Sequence, residues 1–358
     1  MKFGHFCLPT YFPDVDGSVP DFMRRVVEFL VASEALGFDS LWANEHHFDP
    51  YGGIVPSPPV MLSALAQRTQ RVRLGTSIIV LPLHNPIEIA EQMAMIDLMS
   101  NGRVELGVGR GFVVFDYERL GVPRDNAQAR LMEGLEVILK AWLGEPFSHH
   151  GTYFHYDDIQ LWPTPQQRPR LPVWLSVAGT PESFEWAGRR GFNIMTVAYR
   201  GVKQLVDLKR RYREAWLTAG HPAGEWQIST HYQVILAEDG REARKIAEQA
   251  LRRYTGATTH TIEKADAMLA VREAQQHHRV NEEVVRIDRM VDELRVIAGT
   301  PDEAVRLLEQ ARDMLGLTQV DCTFYFGGIP LDQAQRSQQL FATEVMPRLR
   351  NEALAVVT

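Results

Sequence analysis

Short runs of consecutive apolar residues alternate with longer stretches in which apolar positions recur every three or four residues. The runs read as strands covered on both faces, and the longer stretches read as amphipathic helices. Eight runs stand out, at residues 3–8, 40–48, 72–82, 104–109, 171–179, 192–198, 226–237 and 320–326. Helical periodicity fills 21–36, 58–68, 86–98, 126–143, 181–190, 202–219 and 332–349, and Thr300-Pro301 opens a further helix. Asn85-Pro86-Ile87-Glu88 carries a helix-start signature, with Asn as cap, Pro at the first position and Glu three residues on. Eight strand–helix units predict a parallel sheet, and eight in one chain favour a closed (β/α)8 TIM barrel over an open sheet. One domain is expected over 1–358, with insertions at about 144–170 and 253–297. The first is proline-rich with a hairpin near 153–161. The second is charged and helical in pattern.

The formal net charge of −7 over 358 residues disfavours a nucleic acid or an anionic membrane as the main partner. No apolar run approaches the ~20 residues of a membrane-spanning helix. The start of the chain shows no secretory pattern, and a cytoplasmic protein is expected. Cys7 and Cys322 sit in separate apolar runs and read as buried free thiols.

On such a barrel the chemistry belongs at the C-terminal ends of the strands. Four segments lie there. Glu45-His46-His47-Phe48 puts two imidazoles after the second strand, suited to acid–base work near neutral pH. Neighbouring side chains on extended backbone face opposite ways, so one histidine functions and the other packs, and no metal site is expected. Gly107-Val108-Gly109-Arg110-Gly111 follows the fourth strand. Its glycines permit close approach of a ligand and Arg110 suits a phosphate, but the spacing is not that of a dinucleotide fingerprint. Thr180-Pro181-Glu182-Ser183 opens a helix with free N–H groups and two hydroxyls, either an anion site or ordinary capping. The similar Thr300-Pro301-Asp302-Glu303 carries two carboxylates and reads as capping alone. Residues 75–82 read as barrel core.

Taken together and in order, SEALGFDSLWANEHHF, GTSIIVLPLHNPIEIAEQ, MSNGRVELGVGRGF and AGTPDEA resemble the bacterial-luciferase family of flavin monooxygenases, over nearly the whole chain. The resemblance implies an enzyme using reduced FMN and O2, through a flavin C4a-hydroperoxide, to oxidise a small organic substrate such as an aldehyde or other carbonyl compound. It puts the catalytic role on His46. It puts the flavin phosphate near Arg110, the backbone of Phe112, Thr180 and Ser183, and a non-proline cis peptide under the flavin ring at Ser77–Ile78. Gly109 stands where the light-emitting subunit has a reactive cysteine, and Gly179 where the phosphate loop has an acid, so light emission is not implied. The family also implies a mobile lid over 253–297, marked here by Glu263, Lys264, Arg279, Glu282, Glu283 and Arg286. A separate flavin reductase would supply the reduced cofactor. Pairing would occur through the helices at 58–68 and 86–98, rich in Met61, Leu62, Met93, Met95 and Met99, as a homodimer or a luciferase-like heterodimer. Two alternatives stay open: a deazaflavin-dependent oxidoreductase on the same barrel, and a non-catalytic flavin-binding partner subunit.

Overall fold

The computed structural model describes residues 1–49, 51–269 and 285–350, with no side chain described at Arg200 or over 260–269. Eight parallel strands close into a barrel: β1 (Lys2–Cys7), β2 (Ser40–Ala43), β3 (Arg73–Thr76), β4 (Val104–Gly109), β5 (Val173–Ser176), β6 (Asn193–Val197), β7 (Ile228–Leu236) and β8 (Gln319–Thr323). Each pairs with the next, and β8 returns to β1 with Phe3 opposite Val320. This is the (β/α)8 architecture that the alternating pattern predicts. A two-residue extension, Ile79–Val80, continues β3 along β4 after a break at Ser77–Ile78.

The outer ring comprises α1 (Val19–Ala35), α2 (Pro58–Arg68), α3 (Pro86–Met99), α4 (Ala127–Ala141), α5 (Pro181–Arg189), α6 (Lys203–Thr218), α7 (Gly240–Leu269), α8 (Pro301–Leu315) and α9 (Leu331–Leu340). At α3 the cap is an Asn85 side chain accepting from the Ile87 N–H at 2.9 Å. Glu88 does not complete a capping box there. The closing helix is interrupted by a π-type turn at Phe341–Val345 before Met346–Arg350. A short strand that the charged composition hid, Ile297–Gly299, adds to the outer edge of β7.

Helix-facing residues of the strands, such as Phe3, Leu41, Leu74, Leu106 and Ile194, are buried in one continuous apolar core. The barrel interior is more polar. Its lower half is filled by Trp42 and Trp174, edge to face at 5.3 Å, with Glu105 bonded to Arg73 and Trp174 and Asp321 bonded to Ser229 and Gln319. Bulky side chains close the bottom and leave the top open. The 144–170 insertion is pinned by two carboxylates. Glu133 accepts from the Thr152, Tyr153 and Phe154 N–H groups, and Asp97 from those of Gln166 and Gln167. Its hairpin pairs Phe147–His150 with His155–Ile159, beginning earlier than the sequence pattern suggests.

In the second insertion Arg286 is exposed, as the expectation of a solvated segment has it, while Thr255, Met290 and Val291 of the same stretch are buried. Arg279, Glu282 and Glu283 lie outside the described residues, and of Glu263 and Lys264 only the helical backbone is described.

Candidate active site

A cavity of about 330 Å³ opens at the C-terminal end of the barrel, within the ~300–1,000 Å³ range of small-molecule sites. Its walls come from the segments after β1 to β7 and from the inner face of α7. His46, Ser77, Ile78, Arg110, Phe112, Thr180 and Ser183 all line it. The four motifs, spread along the chain from His46 to Ser183, are thus brought to one space. Gly109 is not among the wall residues. It lies behind Ile78, and a Cβ there would sit 2.4 Å from the Ile78 Cδ1. The missing Cβ leaves room for that side chain.

The segment after β2 keeps the two-residue alternation of the strand. Trp42, Asn44 and His46 therefore share the inner face, while Glu45 and His47 share the other. His46 packs against the rings of Tyr51 (5.0 Å) and Phe112 (5.7 Å). Among the described residues neither of its nitrogens is hydrogen bonded. Burial, only partly offset by Glu45, lowers its pKa to about 4. The ring is a neutral imidazole at physiological pH, with a lone pair and an N–H free for a ligand.

Glu45 is buried on the opposite side and serves as a hub. Its Oε2 accepts from the Val80 N–H at 2.9 Å, and its Oε1 is bonded to His84 Nε2 at 2.8 Å and His47 Nε2 at 2.9 Å. Burial opposes ionisation, yet these bonds win and hold its pKa at about 2. His47 is shifted the other way: burial lowers its pKa, but the bond to Glu45 and its charge more than compensate. The two adjacent imidazoles are therefore shifted in opposite directions, His46 downward in the cavity and His47, tied to an anion, upward.

At another corner, Arg110 stands beside Arg124, whose pKa is lowered by burial and by the Arg110 charge. The Tyr117 hydroxyl donates to the Arg110 carbonyl and fixes the loop. Also on the cavity wall, the Thr180 and Ser183 hydroxyls pair at 2.8 Å at the start of α5. No side chain caps that helix. At α8, by contrast, Thr300 and Glu303 form a complete capping box. The same local pattern is closed at one helix and left open at the other. One guanidinium, that of Arg110, lines the same cavity as the uncapped N–H end of α5 and its two hydroxyls, a set of groups suited to an anion.

The wall also has apolar members, Val80, Leu175, Val177 and Met195, and includes the cis Ser77–Ile78 peptide. Over the top, the Tyr254 hydroxyl of α7 bonds to that of Tyr51 at 2.9 Å. Sequence reasoning did not single out Asn44, Asp116, His231 or Tyr254, all on the cavity wall. Asn44 was legible in the alternation that selects His46. Tyr254 was not, because nothing in a charged helix marks which turn crosses the barrel mouth.

The pattern of the luciferase-like monooxygenases matches residues 1–318, and the chain belongs to that family. It is an oxidoreductase whose family relatives use flavin-type cofactors. It resembles the monooxygenase RslO1 from Streptomyces bottropensis, with a TM-score of 0.88 and 30% identity over 98% of this chain and 100% of the other. It is 25% identical to the alkanal monooxygenase alpha chain of the Kryptophanaron alfredi symbiont over 99% of both chains. It is also 30% identical to an F420-dependent glucose-6-phosphate dehydrogenase from Amycolatopsis mediterranei, over 91% of this chain and 95% of the relative. Among the described residues no helix is long and apolar enough to cross a membrane.

Proposed function

We propose that this protein is a monooxygenase that binds reduced FMN in the barrel-mouth cavity and oxidises a small, largely apolar carbonyl compound with O2. The observation that carries the reading is the make-up of one cavity: an anion-binding set at Arg110, Thr180 and Ser183, apolar wall residues with the Ser77–Ile78 peptide, and an unbonded neutral His46. A phosphate suits the first and a flat heterocycle suits the second. Arg110 and the two hydroxyls hold the phosphate, with the Phe112 backbone beside them. Ile78, beside Gly109, supports the ring. Bound reduced flavin supplies the electrons and the reaction with O2. His46, neutral and un-ionised over the whole physiological range, holds or relays one proton at a ring nitrogen. Tyr51, Tyr254 and Phe112 keep water from the space around it.

The chain has no Rossmann-type fingerprint, so we assign the supply of reduced FMN to a separate reductase. The two free buried cysteines accord with a reducing compartment, the cytoplasm. For assembly, Met61, Leu62 and Met93 pack inward, while Val60 (70% exposed), Met95 (50%), Leu98 (44%) and Met99 (45%) leave an apolar face on α2 and α3. We propose that this face joins two copies.

The test is equilibrium binding of FMN, riboflavin and the deazaflavin F420. FMN should bind more tightly than riboflavin, and Arg110→Ala should erase that preference, weakening FMN about 10–100-fold, the value of a charge-assisted hydrogen bond. Tight F420 binding with no FMN binding would move the protein to the hydride-transfer reading, which the glucose-6-phosphate dehydrogenase relative favours.

A further inference from the structure

Asp116 sits on a short helix, Val114–Arg119, directly after the glycine loop of β4. It is only 4% exposed and lines the cavity. Its Oδ1 is fully buried without a hydrogen-bond partner. Such an atom is costly unless a bound group completes it. The charged groups facing it are Glu45, His47 and Asp49 from the segment after β2, and Arg119 on its own helix. The Arg119 guanidinium lies over the Phe48 and Phe115 rings, at 5.3 and 4.7 Å. His47 is bonded to Glu45.

Two interacting carboxyls, Glu45 and Asp116, therefore have unequal partners. Glu45 receives three donors. Asp116 receives none among the described residues. When neighbouring carboxyls compete, the one with the donors ionises and the other keeps its proton. We infer that Asp116 is a neutral acid of this cavity, whose carboxyl donates a hydrogen bond to a carbonyl oxygen of the bound ligand. The inference rests on the reading of the cavity as the cofactor and substrate site. Two sources offer that oxygen: the flavin ring and the organic substrate. An electrostatic argument points the same way. Burial raises the Asp116 pKa, His47 and Arg119 oppose and Glu45 and Asp49 reinforce the shift, and the outcome is about 7.

Two measurements test it. Infrared spectroscopy of the ligand-free protein should show a protonated-carboxyl C=O stretch that titrates away between pH 6 and 8 and is absent in Asp116→Asn. Its absence at pH 6 would overturn the inference. FMN affinity is then measured against pH for wild type and Asp116→Asn, which keeps the volume and a donor but cannot ionise. The ratio of the two cancels the ionisation of the FMN phosphate. If the flavin carbonyl is the partner, that ratio falls about tenfold per pH unit above 7 and the infrared band shifts on adding FMN. If the substrate carbonyl is the partner, the ratio stays flat and the band of the FMN-loaded protein shifts on adding decanal. A band unmoved by either ligand overturns the donor role. Failure of wild type to bind FMN at pH 6 overturns the flavin reading itself, and the infrared titration still decides the proton.

Discussion

At the residue scale, the site turns on how one stretch of backbone treats two neighbouring histidines. His46 faces a space whose apolar walls withhold solvent, and its pKa falls to about 4. His47, one residue on, is held by Glu45 and shifts upward. His46→Ala should lower turnover about 10²–10⁴-fold, the usual worth of a positioned acid or base, while FMN binding changes little. Steady-state kinetics beside a fluorescence titration checks both. Glu45 supports the pair from behind. Its folded pKa, about 2, lies below the ordinary carboxylate value. It therefore contributes stability that is present above pH 4.5 and lost as pH falls through 2. Glu45→Gln should cost on the order of 2–4 kcal/mol at pH 7, with the deficit shrinking in urea unfolding curves taken toward pH 3. Asp116 has the opposite sign. Its raised pKa makes the folded state less stable as pH climbs from 4 through 7, so Asp116→Asn should gain on wild type over that window.

At the element scale, the strands and most helices were legible, because barrel strands covered on both faces leave unbroken apolar runs and capped helices leave Pro and Asn at their starts. The limits of legibility are as instructive. Thr180 and Thr300 open helices with nearly the same residues, yet only Thr300 is capped. The difference lies in Glu303 being placed to accept from the Thr300 N–H, where the α5 start has Ser183 instead. That contrast could be read from sequence. The position of α7 could not. Its polar composition suggests a loose surface segment, but Leu251, Tyr254 and Thr255 turn inward across the barrel mouth. Asp116 also escaped notice, since a lone acid in a short helix gains its meaning only from the distant Glu45. Tyr254→Phe removes the bond to Tyr51 that ties α7 to the barrel. The expected result is a larger fraction of O2 released as H2O2 rather than coupled to product, measured by peroxide assay per flavin oxidised.

At the scale of the whole molecule, the barrel divides its labour along its axis. Trp42, Trp174 and the Glu105 and Asp321 networks fill the lower half, and the upper half is left for a ligand. Outside, α2 and α3 show one face to the core and another, carrying Val60, Met95 and Leu98, to solvent. Changing Met95 and Leu98 together to Glu should convert a dimer to monomer in light scattering at micromolar concentration. A wild-type protein already monomeric there would remove the pairing proposal.

The central claim is that this cavity holds reduced FMN and governs its reaction with O2. Rapid mixing of the reduced FMN–protein complex with oxygenated buffer, followed by flavin absorbance, tests it most directly. The account predicts that oxidised flavin returns far more slowly than from free reduced FMN, and that Arg110→Ala abolishes the delay. Return at the rate of free flavin, with wild type and variant alike, would contradict it.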